Sequence, residues 1–454
     1  MAADLATNIS SFPQTYLGLP LSPYKLPPSA FHPVIDRCDI YLAGWCALLL
    51  SRGGKLVLLS AVLDSLPTYF LHCFALPVQV IEAIDKRRRT FFWSNDDTCS
   101  GAKCLVAWDK VCIPREAGGL GVKNLRAQNF CLLLKFAYKF LHSSNLPWKD
   151  WVLHHSPLHI GHGKNSSFLA KTIFKHLQSL REISQCTVGD GCSTFFWLDH
   201  WLKPEPLALV YPALFSHHTN QHGLVVTILQ DGIELALRNR LTSTAIAELA
   251  SLNSLLQDCA LSQVPDDRRL LNGAAFSTKG AYAALSDHLS DPMLNDIWDS
   301  MVPKKVMIFG WLFYLDRLNT RKNLHKKNIL DSSACPRCTH SVEDRQHLFF
   351  TCPTTRKIWR AAGICPLYTP ITSLFSTTLP DPLPTTVRPF MLLLILWKIW
   401  DARNKKVFQG LDVVASNSLR AILDDLIVWS HRLKSVTLKG HAGLWREFLS
   451  SQHS

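Results

Sequence analysis

The stretch CPRCTHSVEDRQHLFFTC, residues 335–352, decides how the C-terminal third of this chain folds. It contains three cysteines and two histidines, and Cys335, Cys338, His347 and Cys352 have the spacing of metal ligands. Two cysteines separated by two residues can both point at one ion from a tight turn, which the intervening proline stiffens. Three thiolates and one imidazole complete a closed tetrahedral shell without an open position for water. The pattern therefore predicts a structural Zn²⁺ site.

The spacing of the last two ligands predicts where the local helices end. On an ideal helix His347 and Cys352 would lie about 140° apart, so a straight helix cannot direct both side chains at one ion. Pro353 follows Cys352, and the residue before a proline is disfavoured in the helical region. We therefore expect the helix that carries His347 to end near Cys352, and a second helix to run from Pro353 to a stop at Gly363.

Other interpretations of this window are open on the sequence alone. The cysteines could be ordinary buried thiols, and a C-x2-C motif could also be a redox pair. His340 and Cys365 are spare candidates for a ligand position. Zinc binding stabilises small modules by about 10–16 kcal/mol, which is comparable to the stability of a whole domain. A zinc ion at this site would therefore decide whether the segment folds.

Length and composition indicate a globular, intracellular protein. The 454 residues suffice for about three domains, and 47% hydrophobic with 18% charged residues excludes a disordered chain. The longest apolar run, Phe390–Trp397, is too short for a bilayer span of roughly 20 residues and predicts a buried helix. The start, MAADLATNISSF, has no signal-peptide pattern. We expect reduced core thiols and a location in the nucleus rather than the cytoplasm, without secretion and without a membrane partner.

The formal charge of +13 favours a polyanionic partner. In PVQVIEAIDKRRRTFFW, Val80, Ile84 and Phe91 form one helical stripe, with a basic run on other faces. Arg88 lies beside the stripe, so we expect at most its stem to be buried. The alternative is a merely solvated helix face. The candidates for contacts with backbone phosphates are Lys86, Arg87 and Arg89.

A second basic cluster lies just before the cysteine window, around the apolar helix VMIFGWLFYL. Phe309, Leu312 and Phe313 share a face of that helix, and we expect them in the core rather than stacked on bases. The partner we predict is RNA or an RNA/DNA hybrid, bound through its backbone without sequence preference. The cluster consists of Lys304, Lys305, Arg317, Arg321, Lys322, Lys326 and Lys327.

Several motifs around the window occur in the order typical of one family. They are FSTKGAYAAL (276–285), IWDSMVPKKVMIFGWLFYLDRLNTRKNLHKKNI (297–329), RKIW (356–359) and LWKIWDARNKKVF (396–408). With the cysteine window, this succession resembles the reverse transcriptase zinc-binding domain of plant non-LTR (LINE-type) retrotransposon polyproteins. The resemblance implies a nucleic-acid-facing zinc module and possible association with other retroelement proteins.

The N-terminal half supports the same resemblance. FPQTYLGLPLS (12–22), IDKRRRTFFW (84–93) and CLVAWDKVCIPREAGGLGVKNL (104–125) look like the segment that follows the polymerase palm in those elements. The expected fold is mainly α. The expected regions are a residual palm end (1–25), a helical thumb-like region (26–180), a linker with a short β-hairpin at GDGCST (181–270), the reverse transcriptase zinc-binding domain (271–366), and a Pro/Thr-rich linker with a C-terminal helical tail (367–454).

One departure from the family bears on catalysis. The family's polymerase uses an aromatic-x-Asp-Asp hairpin upstream of the YLGLPL stretch, because clustered carboxylates hold two divalent ions. We find neither this motif nor the family's endonuclease here. The remaining acid pairs are expected to be solvated surface residues: Asp96-Asp97, Asp266-Asp267 and Asp424-Asp425.

The sequence therefore predicts a non-catalytic relative of LINE-type reverse transcriptases that binds zinc and nucleic acid. One alternative is a zinc-stapled helical scaffold that binds protein. Another is a gene-model fragment of a full RNA-directed DNA polymerase. The strand-like FPQTYLGLPL segment would pack against the palm, so without that partner we predict poor solubility or an exposed apolar patch near Tyr16 and Leu17.

Overall fold

The computed structural model describes residues 11–44, 49–94, 103–142, 146–155, 168–286, 290–366, 370–381 and 383–452. Helices dominate these residues, and the short strands form two small antiparallel sheets, which confirms the mainly α class. The predicted surface pair Asp96-Asp97 lies outside the described residues.

The helices of the first half are α1 (His32–Ala43), α2 (Arg52–Leu58), α3 (Thr68–Cys73), α4 (Val78–Trp93), α5 (Trp108–Val111), α6 (Leu125–His142), α7 (Pro147–His155), α8 (Phe168–Glu182), α9 (Leu207–Val210), α10 (Pro212–His217) and α11 (Val225–Asp231). Those of the second half are α12 (Ser243–Leu256), α13 (Thr278–Leu285), α14 (Pro292–Asp299), α15 (Lys304–Tyr314), α16 (Arg321–Lys326), α17 (Pro353–Ala361), α18 (Arg388–Gln409), α19 (Ala415–Ser430) and α20 (Val436–Ser451).

The strands are β1 (Gln14–Tyr16), β2 (Leu19–Leu21), β3 (Ser184–Thr187) and β4 (Asp267–Leu270). β1 and β2 form an antiparallel hairpin, and Tyr16 and Leu17 on it are 65% and 75% exposed, as the sequence predicted. The hairpin predicted at GDGCST is wrong. β3 precedes that turn but pairs with the distant β4, with Ser184 opposite Leu270.

The described chain divides into two compact units. Unit 1 comprises Met1–Leu66, Gln79–Asn124 and His288–Ser454, and unit 2 comprises Pro67–Val78 and Leu125–Asp287. Each unit combines segments that are distant in sequence, so residues that share a core do not follow one another along the chain.

The core of unit 1 is organised around α18. Every residue from Phe390 to Leu396 on this helix is buried, which confirms the buried helix predicted from the apolar run. α18 packs on α15, whose predicted core residues Phe309, Leu312 and Phe313 are at most 3% exposed. None of the helices among the described residues combines the length and apolar character needed to span a bilayer.

Two glycines let the helices of unit 1 approach closely. A Cβ atom on Gly53 of α2 would lie 2.8 Å from the backbone nitrogen of Lys305 on α15. A Cβ atom on Gly310 of α15 would lie 2.8 Å from the Cδ2 atom of Leu393 on α18. Both distances are shorter than normal carbon contacts. Glycine at these positions therefore sets the spacing of α2, α15 and α18 in the core of unit 1.

The described part of the Pro/Thr-rich segment, predicted to be a linker, packs into this core. It contains two 3-10 helices, Ile371–Ser376 and Thr385–Val387. Leu374 and Phe375 are at most 4% exposed and belong to the cluster formed around α18. Apolar residues between the prolines thus join the segment to the core.

Arg88 corrects the prediction for the first basic run. It is fully buried on α4, where its guanidinium forms ion pairs with Asp64 and Asp85 and donates to the carbonyl oxygen of Lys123 at 2.8 Å. A buried guanidinium requires such partners because its desolvation is costly. The sequence pattern placed Arg88 beside the apolar stripe but could not show that acidic residues meet it there.

In unit 2 the predicted surface acid Asp266 is a buried structural residue. Its carboxylate accepts hydrogen bonds from the backbone N–H groups of Gly189 (2.8 Å), Gly191 (2.9 Å) and Ser193 (3.0 Å), and from the hydroxyl of Thr194 (2.8 Å). Burial alone would raise the pKa of Asp266, but these donors outweigh it and the pKa is lowered. The GDGCST turn is thus held by a carboxylate and not by a hairpin partner.

We expect Asp266→Asn to reduce the free energy of unfolding by about 2 kcal/mol, because several donors lose a charged acceptor. Since the pKa is lowered in the folded state, the stabilisation is present above the unfolded pKa of about 4 and is lost as the pH falls through the folded value. Urea denaturation between neutral and acidic pH measures both effects. The matched control is Asp267→Asn, which removes the exposed neighbouring carboxylate; an equal loss in both variants would contradict the assignment.

Candidate metal centre

The four predicted ligands come together in unit 1. One ligand atom from each of Cys335, Cys338, His347 and Cys352 lies within 4.8 Å of the others. The Sγ atoms of Cys335 and Cys352 are 4.0 Å apart, and the Sγ atom of Cys338 is 3.2 Å from Nε2 of His347. Zn–S bonds of about 2.3 Å give sulfur–sulfur edges of about 3.8 Å in a tetrahedron. The group therefore has the size and donor set that a tetrahedral metal ion requires.

The C-x2-C turn is fixed by its own backbone. The N–H of Cys335 donates to the carbonyl oxygen of Ser341 at 2.8 Å, and the N–H of Thr339 donates to the carbonyl oxygen of Cys335 at 2.9 Å. Thr339 has a φ of 60°, so the chain reverses through the left-handed region. The N–H groups of Arg337 and Cys338 also donate to the sulfur of Cys335. The turn thereby presents both of its sulfurs on one side.

A π-helical turn, His347–Thr351, resolves the spacing problem between the last two ligands. The N–H of Cys352 donates to the carbonyl oxygen of His347 at 2.8 Å, five residues back, and Cys352 then turns to an extended conformation with ψ 131°. α17 begins at Pro353, and Gly363 follows its end with φ 67°, so the predicted boundaries are confirmed. The π-helical turn has more residues per turn than an α-helix, and the ideal α-helix used for the sequence prediction did not include it.

Neighbouring side chains orient the imidazole. The carboxylate of Asp344 accepts the backbone N–H of His347 at 2.8 Å. The Nδ1 atom of His347 lies 3.5 Å from the hydroxyl of Thr351, which leaves Nε2 directed at Cys338. Partners on the second ring nitrogen commonly fix the orientation of a metal-binding histidine. His347 is therefore placed to coordinate through Nε2.

One thiolate is favoured before any metal binds. The Sγ atom of Cys352 lies within hydrogen-bonding distance of the Sγ atom of Cys335 at 4.0 Å and of the hydroxyl of Thr354 at 3.1 Å, and near the backbone N–H groups of Thr354 and Thr355. The bond from Cys335 has the largest effect, and together these donors lower the pKa of Cys352 although burial opposes them. The same bond, with burial, raises the pKa of Cys335. A metal ion bound here would require both sulfurs to be thiolates, so metal binding would release protons from this pair.

Arg337 supplies positive charge to the centre. Three thiolates around a divalent cation leave a net charge of −1. The half-buried guanidinium of Arg337 lies near Cys335 and Cys352, and its Nη1 atom is 3.4 Å from the hydroxyl of Thr355. Burial lowers the pKa of Arg337, while the two sulfurs and nearby acids favour its charged form. The residue inside the C-x2-C motif is thus placed to balance a metal–thiolate centre.

The spare ligand candidates lie elsewhere. His340 is exposed, and its Nδ1 atom contacts the carbonyl oxygen of Cys338. Cys365 is exposed and lines a separate cavity beside Trp359. Neither belongs to the four-residue group found among the described residues.

A buried ion pair that the sequence analysis missed joins residues 335–352, which carry the four candidate ligands and are called the metal-binding loop, to α18. Arg403 donates from Nη2 to Oε1 of Glu343 at 2.6 Å and from Nε to Oε2 at 3.1 Å, and both side chains are at most 3% exposed. Oε1 of Glu343 also accepts the backbone N–H of Arg321 at 2.8 Å. The guanidinium stacks 5.0 Å from the ring of Trp400. The available signal was that Arg403 lies on the same helix as the apolar run Phe390–Trp397.

The predicted phosphate-binding cations fall into three groups: ion-paired, half-buried and exposed. Arg87 is committed to Asp39, with N–O distances of 2.5 and 2.7 Å, and Lys322 pairs with Asp344 at 3.0 Å. Arg89 and Arg321 are half-buried. The remaining candidates are exposed: Lys86, Lys304, Lys305, Arg317, Lys326 and Lys327. The second cluster therefore presents most of its charge to solvent.

The described Asp-Asp pairs do not form a carboxylate site. Asp266 holds the GDGCST turn, while Asp267 pairs with Arg269 at 2.7 Å. On α19, Asp425 pairs with Lys398 at 2.6 Å. These contacts give the pairs structural partners.

Comparisons with known proteins agree with the site. Residues 276–359, which include all four candidate ligands, match the family described as zinc-binding in reverse transcriptase. The chain is 26% identical over 365 residues to a "Putative ribonuclease H protein" of Arabidopsis thaliana, across 75% of this chain and 57% of that protein. It is 30% identical over 149 residues to an "Uncharacterized mitochondrial protein" of Arabidopsis thaliana, across 31% of this chain and 95% of that protein.

These matches confirm the relation to reverse transcriptases that the motifs predicted. The chain spans about 57% of the length of the ribonuclease H protein. What that longer protein does as a whole is therefore a separate question from what the four-ligand group does here.

Proposed function

Because this chain is related to reverse transcriptases and belongs to the same family as the uncharacterized mitochondrial protein of Arabidopsis thaliana, we propose that it is a zinc-stabilised nucleic-acid-binding protein of the LINE-type reverse transcriptase lineage. The four-ligand group of Cys335, Cys338, His347 and Cys352 is the observation that carries the proposal. Bound zinc would supply folding energy and no reaction chemistry, since all four positions are taken by protein ligands.

Exposed cations support a polyanionic partner. Arg317, Lys326 and Lys327 lie just before the metal-binding loop and point to solvent. The pKa of Lys327 is lowered by burial and by the nearby Arg317, so the two cations lie close together. Clustered positive charge of this kind favours an anionic backbone. The partner class we propose is RNA or an RNA/DNA hybrid, bound without sequence preference.

We propose a binding role for this chain, and not polymerisation. The structural partners of Asp266, Asp267 and Asp425 support this view, because a polymerase needs carboxylates free to hold two divalent ions. Three thiolate ligands also need a reducing compartment, so we propose an intracellular, nuclear site of action.

The proposal predicts salt-dependent binding to a short RNA/DNA hybrid. Each cation that contacts a phosphate contributes about one unit to the slope of log affinity against log salt. The double variant Lys326→Gln/Lys327→Gln should therefore reduce that slope by about two. Fluorescence anisotropy of a labelled hybrid, titrated at several salt concentrations, measures this.

The matched control is Lys171→Gln/Lys175→Gln, which removes the same charge from exposed positions on α8. It should leave the slope close to that of the unaltered protein. An affinity that does not change between low and moderate salt would contradict the proposal.

That outcome would favour a protein-binding scaffold instead. The exposed apolar side chains at the β1–β2 hairpin support this second candidate, since Tyr16, Leu17 and Tyr24 are 65%, 75% and 79% exposed. The salt titration separates the two, because an apolar interface is not weakened by moderate salt.

A further inference from the structure

A concave site in unit 1 lies beside the metal-binding loop and is distinct from the four-ligand group. It is a cavity of about 540 Å³ formed by residues of α2, α15, α16 and α18. Small-molecule and cofactor sites usually enclose about 300–1,000 Å³. The cavity therefore has room for a ligand of nucleotide size.

One wall of the cavity is aromatic. Trp397, Trp400 and Phe408 recur along one face of α18, and Phe309 of α15 lies 5.3 Å from Trp397 between ring centroids. The two tryptophans are half-buried, whereas Phe408 is 78% exposed at the end of the helix. An exposed phenylalanine contributes little to the core. It is, however, the kind of ring on which nucleic-acid bases stack.

The cavity also carries positive charge without matching acids. Arg52, Lys305, Arg321 and Arg403 line it, and no aspartate or glutamate does so among the described residues. Arg403 is neutralised by Glu343. Among the described residues, no aspartate or glutamate forms an ion pair with Arg52, Lys305 or Arg321. The Nε atom of Arg321 is buried and has no hydrogen-bond partner there. Burial lowers the pKa of Arg52, and no nearby acid counteracts it.

A ligand that carries both an anionic group and a planar ring could bind the cations and the aromatic wall at the same time. A simple carboxylate or phosphate would leave the aromatic wall unused. An apolar ligand would leave Arg52 and Lys305 with only the rings of Trp93 and Trp397 as partners, and without an anion. We propose that this cavity binds one nucleotide, with its base against the aromatic wall of α18 and its phosphate near Arg52, Lys305 and Arg321. The nucleotide is either free or an unpaired residue of a strand, and the second source rests on the proposed nucleic-acid-binding function.

The test uses the full chain and two labelled RNA/DNA hybrids, one blunt and one with a few unpaired nucleotides at its 3′ end. We expect the extended hybrid to bind about tenfold more tightly, the size of effect that one base stacked on an aromatic side chain gives. Phe408→Ala and Arg52→Gln should each reduce this preference to about onefold while the melting temperature stays near that of the unaltered protein.

Two control variants accompany these. Tyr24→Ala removes an equally exposed aromatic ring that does not line the cavity, and it should keep the tenfold preference. Lys326→Gln should weaken binding of both hybrids alike, because Lys326 belongs to the exposed cluster and not to the cavity.

The outcomes separate this inference from the proposed function. Equal, salt-dependent binding of the two hybrids, or a preference that survives Phe408→Ala and Arg52→Gln, overturns an unpaired strand residue as the occupant and leaves the proposed function standing. A further arm titrates adenosine monophosphate alone. Binding of this nucleotide that is lost in Phe408→Ala supports the cavity as a free-nucleotide site even if no hybrid binds. Failure of the hybrids and the nucleotide together overturns both proposals.

Discussion

Replacing Cys352 with serine is expected to unfold the segment around the metal centre, because it removes one of three thiolate ligands. Structural zinc contributes about 10–16 kcal/mol in small modules, as much as the whole stability of a typical domain. The π-helical turn before Cys352 carries Leu348, Phe349 and Phe350, all at most 1% exposed. Loss of the ion would therefore release core side chains as well as the loop.

The measurement is limited proteolysis with mass spectrometry, combined with thermal melting in the presence and absence of a chelator. We expect Cys352→Ser, and the chelated protein, to be cleaved within residues 276–359 and to melt at a lower temperature. Cys365→Ser is the matched control, because Cys365 is exposed and lies outside the four-ligand group. If Cys352→Ser and the chelated protein melt at the same temperature as Cys365→Ser and the unaltered protein, a structural role for the metal is contradicted.

The second large effect concerns the buried pair of Glu343 and Arg403. Removing one partner of a buried ion pair leaves the other charge without compensation, which costs about 3–5 kcal/mol. Glu343→Gln should therefore lower the free energy of unfolding by an amount of this order. It would also leave the backbone N–H of Arg321 with a weaker acceptor.

Urea denaturation followed by tryptophan fluorescence measures the loss. The double variant Glu343→Met/Arg403→Met should recover much of it, since replacing both partners of a buried pair by apolar residues is often nearly neutral. Asp401→Asn is the matched control on the same helix, because Asp401 and Lys405 form a half-exposed pair at 3.1 Å. If Asp401→Asn costs as much as Glu343→Gln, the buried pair has no special role.

The grouping of the four candidate ligands was predictable from sequence because its information is local. The C-x2-C motif, His347 and Cys352 lie within one short window, and Pro353 imposes the helix boundary that brings the last ligand into place. The π-helical turn was missed, since an ideal helix was the reference geometry. Local spacing and backbone restrictions together are enough to specify a small metal site.

The buried charges were not predictable in the same way. Arg88 meets Asp64, and Arg403 meets Glu343, across 24 and 60 residues of chain. Helical periodicity gives the face of a charged residue but not the partner on another element. The same limit explains the wrong hairpin, because the strand after Ile183 finds its partner at Asp267–Leu270 and not in the adjacent sequence.

Metal content tests the central claim most directly. Full-length protein, purified without added metal and analysed by inductively coupled plasma mass spectrometry, should contain one zinc ion per chain, and Cys338→Ser should reduce that content to near zero. The claim of a structural zinc ion would be contradicted if the purified protein contained no stoichiometric metal and Cys338→Ser left the melting curve unchanged.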